Sequence, residues 1–154
     1  MSELQQLLEA EKGLVTRFLG LLREEQSALV EGLAETLSVL NQTKLELIDT
    51  LNTAEAARGA FIAASSTGNG KAEMKAWLLR HPAEKSARLL WEEILDLARE
   101  ARQLHEMNGE LIAMHLSKTS EAIDILTQRQ KEAALYGSNG QAASGTGSRI
   151  VDSA

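Results

Sequence analysis

A long helical repeat in the C-terminal half is the feature that most constrains this chain. Apolar or small residues recur every three or four positions from Ala87 to Leu126. This is a period near 3.5, held for about five heptads, and it is typical of a coiled-coil helix. At about 1.5 Å per residue, a helix from Ala83 to Tyr136 would be roughly 80 Å long. The repeat predicts one long helix with a seam for partner helices.

The N-terminal part shows the same kind of spacing. Leucines and other apolar residues three or four apart run through Glu3–Leu51, and the helix is expected to continue or restart through Ala54–Ala64. Ser2, followed three residues later by Gln5, predicts a capped start. Three glycines interrupt the segment: Gly13, Gly20 and Gly32. We interpret them as local softness; close approach of a partner helix is the alternative.

A short connector separates the two long segments. Residues 65–70 combine Ser, Thr, Gly and Asn and predict a loop. A helix over Lys71–Arg80 follows, and His81-Pro82 ends it, because the residue before proline is driven out of the helical region. Pro82 is the one proline in 154 residues.

These segments predict an all-α fold, a long antiparallel helical pair or coiled-coil bundle with a short helical connector. We expect one helical bundle domain over residues 1–137. A flexible, disordered tail rich in Gly and Ser is expected over residues 138–154, since it lacks the apolar residues that a core needs.

Composition excludes several classes of function. The net charge is −6 and no basic stripe is present, so we expect no nucleic-acid binding. The chain has no cysteine, no visible secretory signal and no apolar run that could span a bilayer. A cytoplasmic protein without membrane insertion is the simplest interpretation.

No constellation of an enzyme or a cofactor site is found. His81, His105 and His115 lack the spacing of helical metal ligands. Gly68 and Gly70 precede Lys71, but the other residues of a phosphate-binding loop are missing. We therefore expect no catalytic residue, no metal and no cofactor.

The long C-terminal repeat becomes polar as it proceeds. Asn108, His115 and Lys118 lie at seam positions, and polar residues there reduce self-packing and often fix register. We expect the later half to pack less tightly and to leave apolar side chains available to a partner.

Three stretches resemble the FlgN family of flagellar export chaperones. Residues 108–112 are similar to the family's Asn-Gly-x-Leu-[Leu/Ile] stretch, and residues 122–126 to its last apolar run. Residues 135–141 resemble its Leu-Tyr-Gly-x-[Asp/Asn]-Gly-Gln signature, which is the most specific of the three. Length, the long first helical segment and the glycine-rich tail agree with the family.

The resemblance implies a chaperone that binds the C-terminal amphipathic helices of hook-associated junction proteins and delivers them to the flagellar export gate. Helix-in-groove binding would use apolar anchors three and four apart. The candidate cargo-binding residues are Leu111, Ile112, Leu116, Ala122, Ile123 and Leu126. The candidate docking residues for the gate are Leu135, Tyr136 and Gly137, although Tyr136 could equally pack the last helical turn.

Two alternatives stay open at this point. One is a different flagellar export chaperone, such as one for the filament cap. The other is a structural coiled coil that only self-associates. The sequence allows either a monomer or a weak dimer.

Overall fold

The computed structural model describes residues 1–64 and 71–136, without the side chain of Lys71. Within these ranges the chain is helical and has no strand. The helices are α1 (Glu3–Glu31), α2 (Ala34–Ala63), α3 (Lys71–Arg80) and α4 (Lys85–Leu135). The predicted loop at 65–70 and the predicted disordered tail at 138–154 lie outside the described residues.

The chain divides into two compact units, Met1–Leu111 and the residues that follow Leu111. The first unit holds α1, α2, α3 and the first part of α4. The predicted domain limits, 1–137 and 138–154, stay predictions because the second unit includes residues outside the described ranges.

The N-terminal segment is two helices, so the prediction of one helix from Glu3 to Leu51 was wrong. Gly32 has a φ of 72°, the left-handed conformation that ends many helices, and its backbone N–H bonds to the carbonyls of Ala28 and Leu29. Only glycine adopts this conformation at little cost. At Gly13 and Gly20 an added Cβ would meet no atom within 4 Å, so no partner helix approaches closely there.

The break at Gly32 turns α1 and α2 into an antiparallel pair. Glu11 of α1 bonds to Arg58 near the end of α2, and Glu25 near the end of α1 bonds to Lys44. Ser2 caps the start of α1 by accepting a hydrogen bond from the backbone N–H of Gln5 over 3.1 Å, as predicted.

Helix α4 packs beside α1 and runs in the same direction. Two ion pairs show the order, Lys12 with Glu93 and Arg23 with Glu100. The α1 residues Leu19 and Leu22 pack with Ala101 of α4, and partly buried side chains surround them: Phe18, Leu97 and Leu104.

Helices α2 and α4 form an antiparallel pair joined by a helical connector, whereas the prediction paired α4 with one long helix that begins at Glu3. Arg58, near the end of α2, lies over the ring of Trp91, near the start of α4. The connector α3 begins and ends where the sequence predicts, at Lys71 and Arg80. The all-α class, the antiparallel pairing and the short connector are confirmed.

The largest apolar cluster of the first unit joins all four helices. It consists of Leu4, Leu8, Ile62, Met74, Trp77, Leu78, Ala87, Trp91 and Ile94. Trp77 meets the edge of Phe61 at 5.7 Å and stacks on His81 at 3.9 Å. His81 also bonds through Nδ1 to the carbonyl oxygen of Trp77 over 2.8 Å. The Phe61 contact joins α3 to the end of α2, and the His81 contacts hold the residue that follows α3 against its last turn.

Candidate partner-binding helix

A buried polar cluster joins α1, α2 and α4 near Asn108. The side-chain nitrogen of Asn108 donates to the carbonyl oxygen of Leu22 and to Oε1 of Glu25, both over 2.9 Å. Lys44 approaches the same carboxylate, with Nζ 3.2 Å from Oε2. Asn108 is only 1% exposed. A buried amide with such specific partners holds the three helices in one register.

A second buried polar pair lies closer to the other end of the first unit. Glu11 accepts two hydrogen bonds from Arg58, 2.8 Å from Nε and 3.2 Å from Nη2. The guanidinium carbon of Arg58 lies 4.6 Å from the centre of the Trp91 ring. This bidentate pair and its aromatic contact tie α1, α2 and α4 together.

A groove of about 500 Å³ lies between α3 and α4. Its walls are mainly apolar and include Leu78, Pro82 and Trp91, with Lys75 and Arg88 as cations. The lining contains no hydroxyl, thiol or imidazole that could act as a nucleophile. Glu92 adds a carboxylate, so the groove is mainly apolar with charged side chains of both signs in its lining.

The apolar side chains of the second unit are exposed to solvent. Between Ile112 and Tyr136 every side chain is exposed except that of Ala134, which is half-buried. The exposed large apolar residues of this stretch are Ile112, Met114, Leu116, Ile123, Ile125, Leu126, Leu135 and Tyr136. Leu116 is 66% exposed and Ile123 57%. Such a concentration of exposed apolar side chains on one helix is typical of a surface that a partner covers.

Other kinds of site find little support in the described ranges. Over residues 1–64 and 71–136, no group of three or more His, Cys, Asp or Glu side chains is placed to bind a metal ion. Nor does any helix in those ranges have the length and apolar character required to cross a membrane.

Comparison with known proteins supplies the family. The profile of the family described as FlgN protein matches residues 1–144. This match covers nearly the whole chain. The chain belongs to the FlgN family. It is also 27% identical over 146 residues to the flagella synthesis protein FlgN of Proteus mirabilis, covering 92% of this chain and 91% of that one. No solved structure matches this chain significantly.

The family assignment confirms the resemblance inferred from three short stretches. In this FlgN-family chain the Asn108 of the first stretch is the last fully buried residue of α4. The second stretch, residues 122–126, is exposed throughout. The third begins at Leu135 and Tyr136, whose side chains are 48% and 84% exposed, and its remaining residues lie outside the described ranges.

The predicted cargo-binding residues of this FlgN-family chain differ in exposure. Leu111 is half-buried and belongs to the first unit, whereas Ile112, Leu116, Ala122, Ile123 and Leu126 are exposed. Their exposure agrees with the predicted loosening after Asn108. What binds to them stays a prediction.

The sequence reasoning missed Met114. It placed Ile125 in the seam beside Leu126 but did not include it among the cargo-binding residues. Met114 and Ile125 are 54% and 55% exposed, and Met114 lies outside the seam on which the prediction was built. The signal was present in the sequence, because about 100° of rotation per residue places both on a second side of the helix. A helical projection of residues 112–126 would have found them.

Proposed function

We propose that this protein is a flagellar export chaperone that binds the C-terminal amphipathic helices of hook-associated junction proteins. Membership of the FlgN family supports a role in flagellum synthesis as an export chaperone. The observation that carries the proposal is the exposed apolar surface between Ile112 and Leu126. Binding there would keep the junction proteins from assembling in the cytoplasm until they reach the export gate.

The exposed stretch continues the register of the buried part of α4. Ala87, Trp91, Ile94, Ala101 and Asn108 are the buried positions of α4, separated by three, four or seven residues. The same heptad spacing leads on to Ile112, Thr119 and Leu126. In the first unit these positions pack against α1 and α2. A guest helix would give the later positions the same kind of partner.

An apolar anchor set of this kind suits a guest that is released later. A guest segment that is disordered before binding must lose conformational entropy when it folds on the chaperone. This cost lowers the affinity per unit of buried area and makes release at the gate easier. The function requires no catalysis and no cofactor, and we assign neither.

We place the contact with the export gate at Leu135, Tyr136 and Gly137. Tyr136 is the most exposed large apolar residue of the described chain, at 84%. Its backbone N–H bonds to the carbonyl of Glu132 over 2.9 Å, so the end of α4 holds the backbone that carries the ring. An exposed aromatic side chain on an ordered backbone is a common binding anchor.

Secretion by living cells tests the proposed function. A strain that lacks this protein is complemented with the wild-type chain or with Ile123→Glu/Leu126→Glu. We expect the variant to abolish secretion of the junction proteins while hook subunits are still exported. Ser117→Glu, a charge on the polar side of the same helix, is the matched control and should behave as wild type. Undiminished secretion of junction proteins by the first variant would contradict the proposal.

The same strains separate the alternatives. Loss of filament-cap secretion with normal junction-protein secretion would indicate a chaperone of the filament-cap type. Normal secretion of every subunit, together with self-association of the purified protein through Ile123 and Leu126, would indicate a structural coiled coil.

A further inference from the structure

The exposed part of α4 is apolar over more of its circumference than one partner helix can cover. At about 100° per residue, Ile112, Leu116, Ile123 and Leu126 fall within about 80° of one another. We call these four residues the first stripe. Met114 and Ile125 form the second stripe, centred about 150° away around the helix. All six side chains are exposed.

Two arcs of the helix surface separate the stripes, and only one of them is suited to contact with a partner. Ala122 lies between them, together with the cations Lys118 and Arg129. The opposite side is polar and contains Ser117, Ser120 and Asp124. The contact surface therefore spans about 200° of the helix, whereas a helix that packs on a single neighbour presents a stripe of roughly 100°.

We infer that the guest covers this helix with two amphipathic helices, one on each stripe. The inference rests on the proposed function, because it concerns how the same guest is held. The first unit supplies the precedent: there α4 contacts two helices, α1 through Ala101 and α2 through Trp91. A guest with two helices would build the equivalent three-helix arrangement on the second unit.

Two cations on this helix, Lys118 and Arg129, indicate which charges the guest helices should carry. Lys118 and Arg129 are exposed and lie along the line where the two guest helices would meet. None of the ion pairs among residues 1–64 and 71–136 involves either cation. The guest helices should therefore place Asp or Glu on their facing edges, opposite these two side chains.

A second copy of this chain is a poorer occupant. Residues 112–126 hold about two heptads, while stable coiled coils between separate chains sustain three or four. A self-dimer would cover one stripe and leave the other exposed. A two-helix guest covers both stripes of the same short segment.

Methionine oxidation measures the occupancy of each stripe in the full-length protein. Met114 reports the second stripe, and a methionine introduced by Leu116→Met, a volume-conserving change, reports the first. Met1, which is exposed, and Met74, which is fully buried, serve as references for fast and slow oxidation. The partner is a full-length junction protein purified as a monomer, and light scattering gives the stoichiometry.

The inference predicts that guest binding in a 1:1 complex slows oxidation at both reporter positions. Protection at Leu116→Met alone would overturn it and leave the proposed function intact. Concentration-dependent protection of Met114 without guest would also overturn it, in favour of a second copy. If neither position is protected and no complex forms, the proposed function itself fails.

Substitutions provide a second, independent readout. Met114→Glu/Ile125→Glu should weaken guest binding by about 100-fold or more, since each carboxylate would be buried without a partner. Both positions are exposed in the free protein, so folding should be unaffected, which circular dichroism checks. Ser117→Glu on the polar side should leave affinity unchanged. Wild-type affinity of the double variant would rule out a helix on the second stripe.

Discussion

The side-chain nitrogen of Asn108 donates a hydrogen bond to Oε1 of Glu25 over 2.9 Å, across 83 residues of sequence. Glu25 also receives Lys44, so the bond joins three helices. Asn108 is the last buried residue of α4, and the exposed stretch begins four residues later. A hydrogen-bonded polar cluster therefore lies at the last buried layer of the bundle.

Loss of the hydrogen bonds of Asn108 should destabilise the first unit. Asn108→Ala leaves the Leu22 carbonyl without its side-chain donor and removes one donor from the Glu25 carboxylate. We expect the free energy of unfolding to fall by about 1–3 kcal/mol in urea denaturation. Asn41→Ala, at an exposed position of α2, is the control and should change stability by less than about 0.5 kcal/mol. Equal stabilities of the two variants would show that the hydrogen bonds of Asn108 do not stabilise the first unit.

Alanine substitution should destabilise the protein at Gly32 and stabilise it at Gly13 and Gly20. Gly32→Ala forces a side chain into the left-handed conformation and should cost about 1–2 kcal/mol. Gly13→Ala and Gly20→Ala meet no neighbouring atom and should stabilise the protein by about 0.5–1 kcal/mol each. Thermal unfolding of the three variants measures the difference. A stabilising Gly32→Ala would mean that the helix break does not depend on this glycine.

Removal of one partner of the pair Glu11 and Arg58 should lower the free energy of unfolding strongly. Replacement of both partners by apolar residues should lower it much less. Both side chains are nearly buried, so Glu11→Leu leaves a guanidinium without its carboxylate and should cost about 3–5 kcal/mol. Glu11→Leu/Arg58→Met should recover most of that loss, because neither charge is left unpaired. The exposed pair Arg23 and Glu100 is the control, and removing it should cost less than about 1 kcal/mol. Urea denaturation of the complete double-mutant cycle decides between these values.

Tyr136 should affect delivery without affecting guest binding. Tyr136→Ala removes the exposed ring, and we expect junction-protein secretion to fall about tenfold, the effect of losing one moderate hot spot. Guest affinity of the purified variant should equal that of the wild type. Tyr136→Phe keeps the ring and tests whether the hydroxyl contributes. Unchanged secretion by Tyr136→Ala would restrict this residue to packing at the helix end.

Local signals in the sequence predicted the helix ends that depend on neighbouring residues. Ser2 caps α1 through the backbone of Gln5, and Pro82 follows the end of α3. The steady heptad spacing predicted α4, whose observed ends at Lys85 and Leu135 differ from the predicted ones by two residues and one.

The break between α1 and α2 could not be predicted from local spacing. Gly13, Gly20 and Gly32 occur in similar apolar surroundings, yet only Gly32 adopts a positive φ. The choice is made by distant contacts, such as the ion pair of Glu11 with Arg58, which form only when the chain reverses at Gly32. Pairings separated by 47 residues leave no periodic trace in the sequence.

The candidate site was predicted in part. The polar seam position Asn108 and the apolar residues after it were visible in the repeat, but the partners of Asn108 on α1 were not. Met114 was missed because a single seam was assumed, and this residue lies on another side of the helix.

Isothermal titration calorimetry tests the central claim most directly. A C-terminal segment of a junction protein from the same organism is titrated into the wild-type protein, into Ile123→Glu/Leu126→Glu and into Ser117→Glu. The account predicts saturable binding with a negative heat-capacity change for the wild type and for Ser117→Glu. It predicts at least about 100-fold weaker binding for the double variant, which would bury unpaired carboxylates in the complex. Equal affinity of all three folded proteins, or no binding by any of them, would contradict the assignment of the exposed helix as the guest-binding surface.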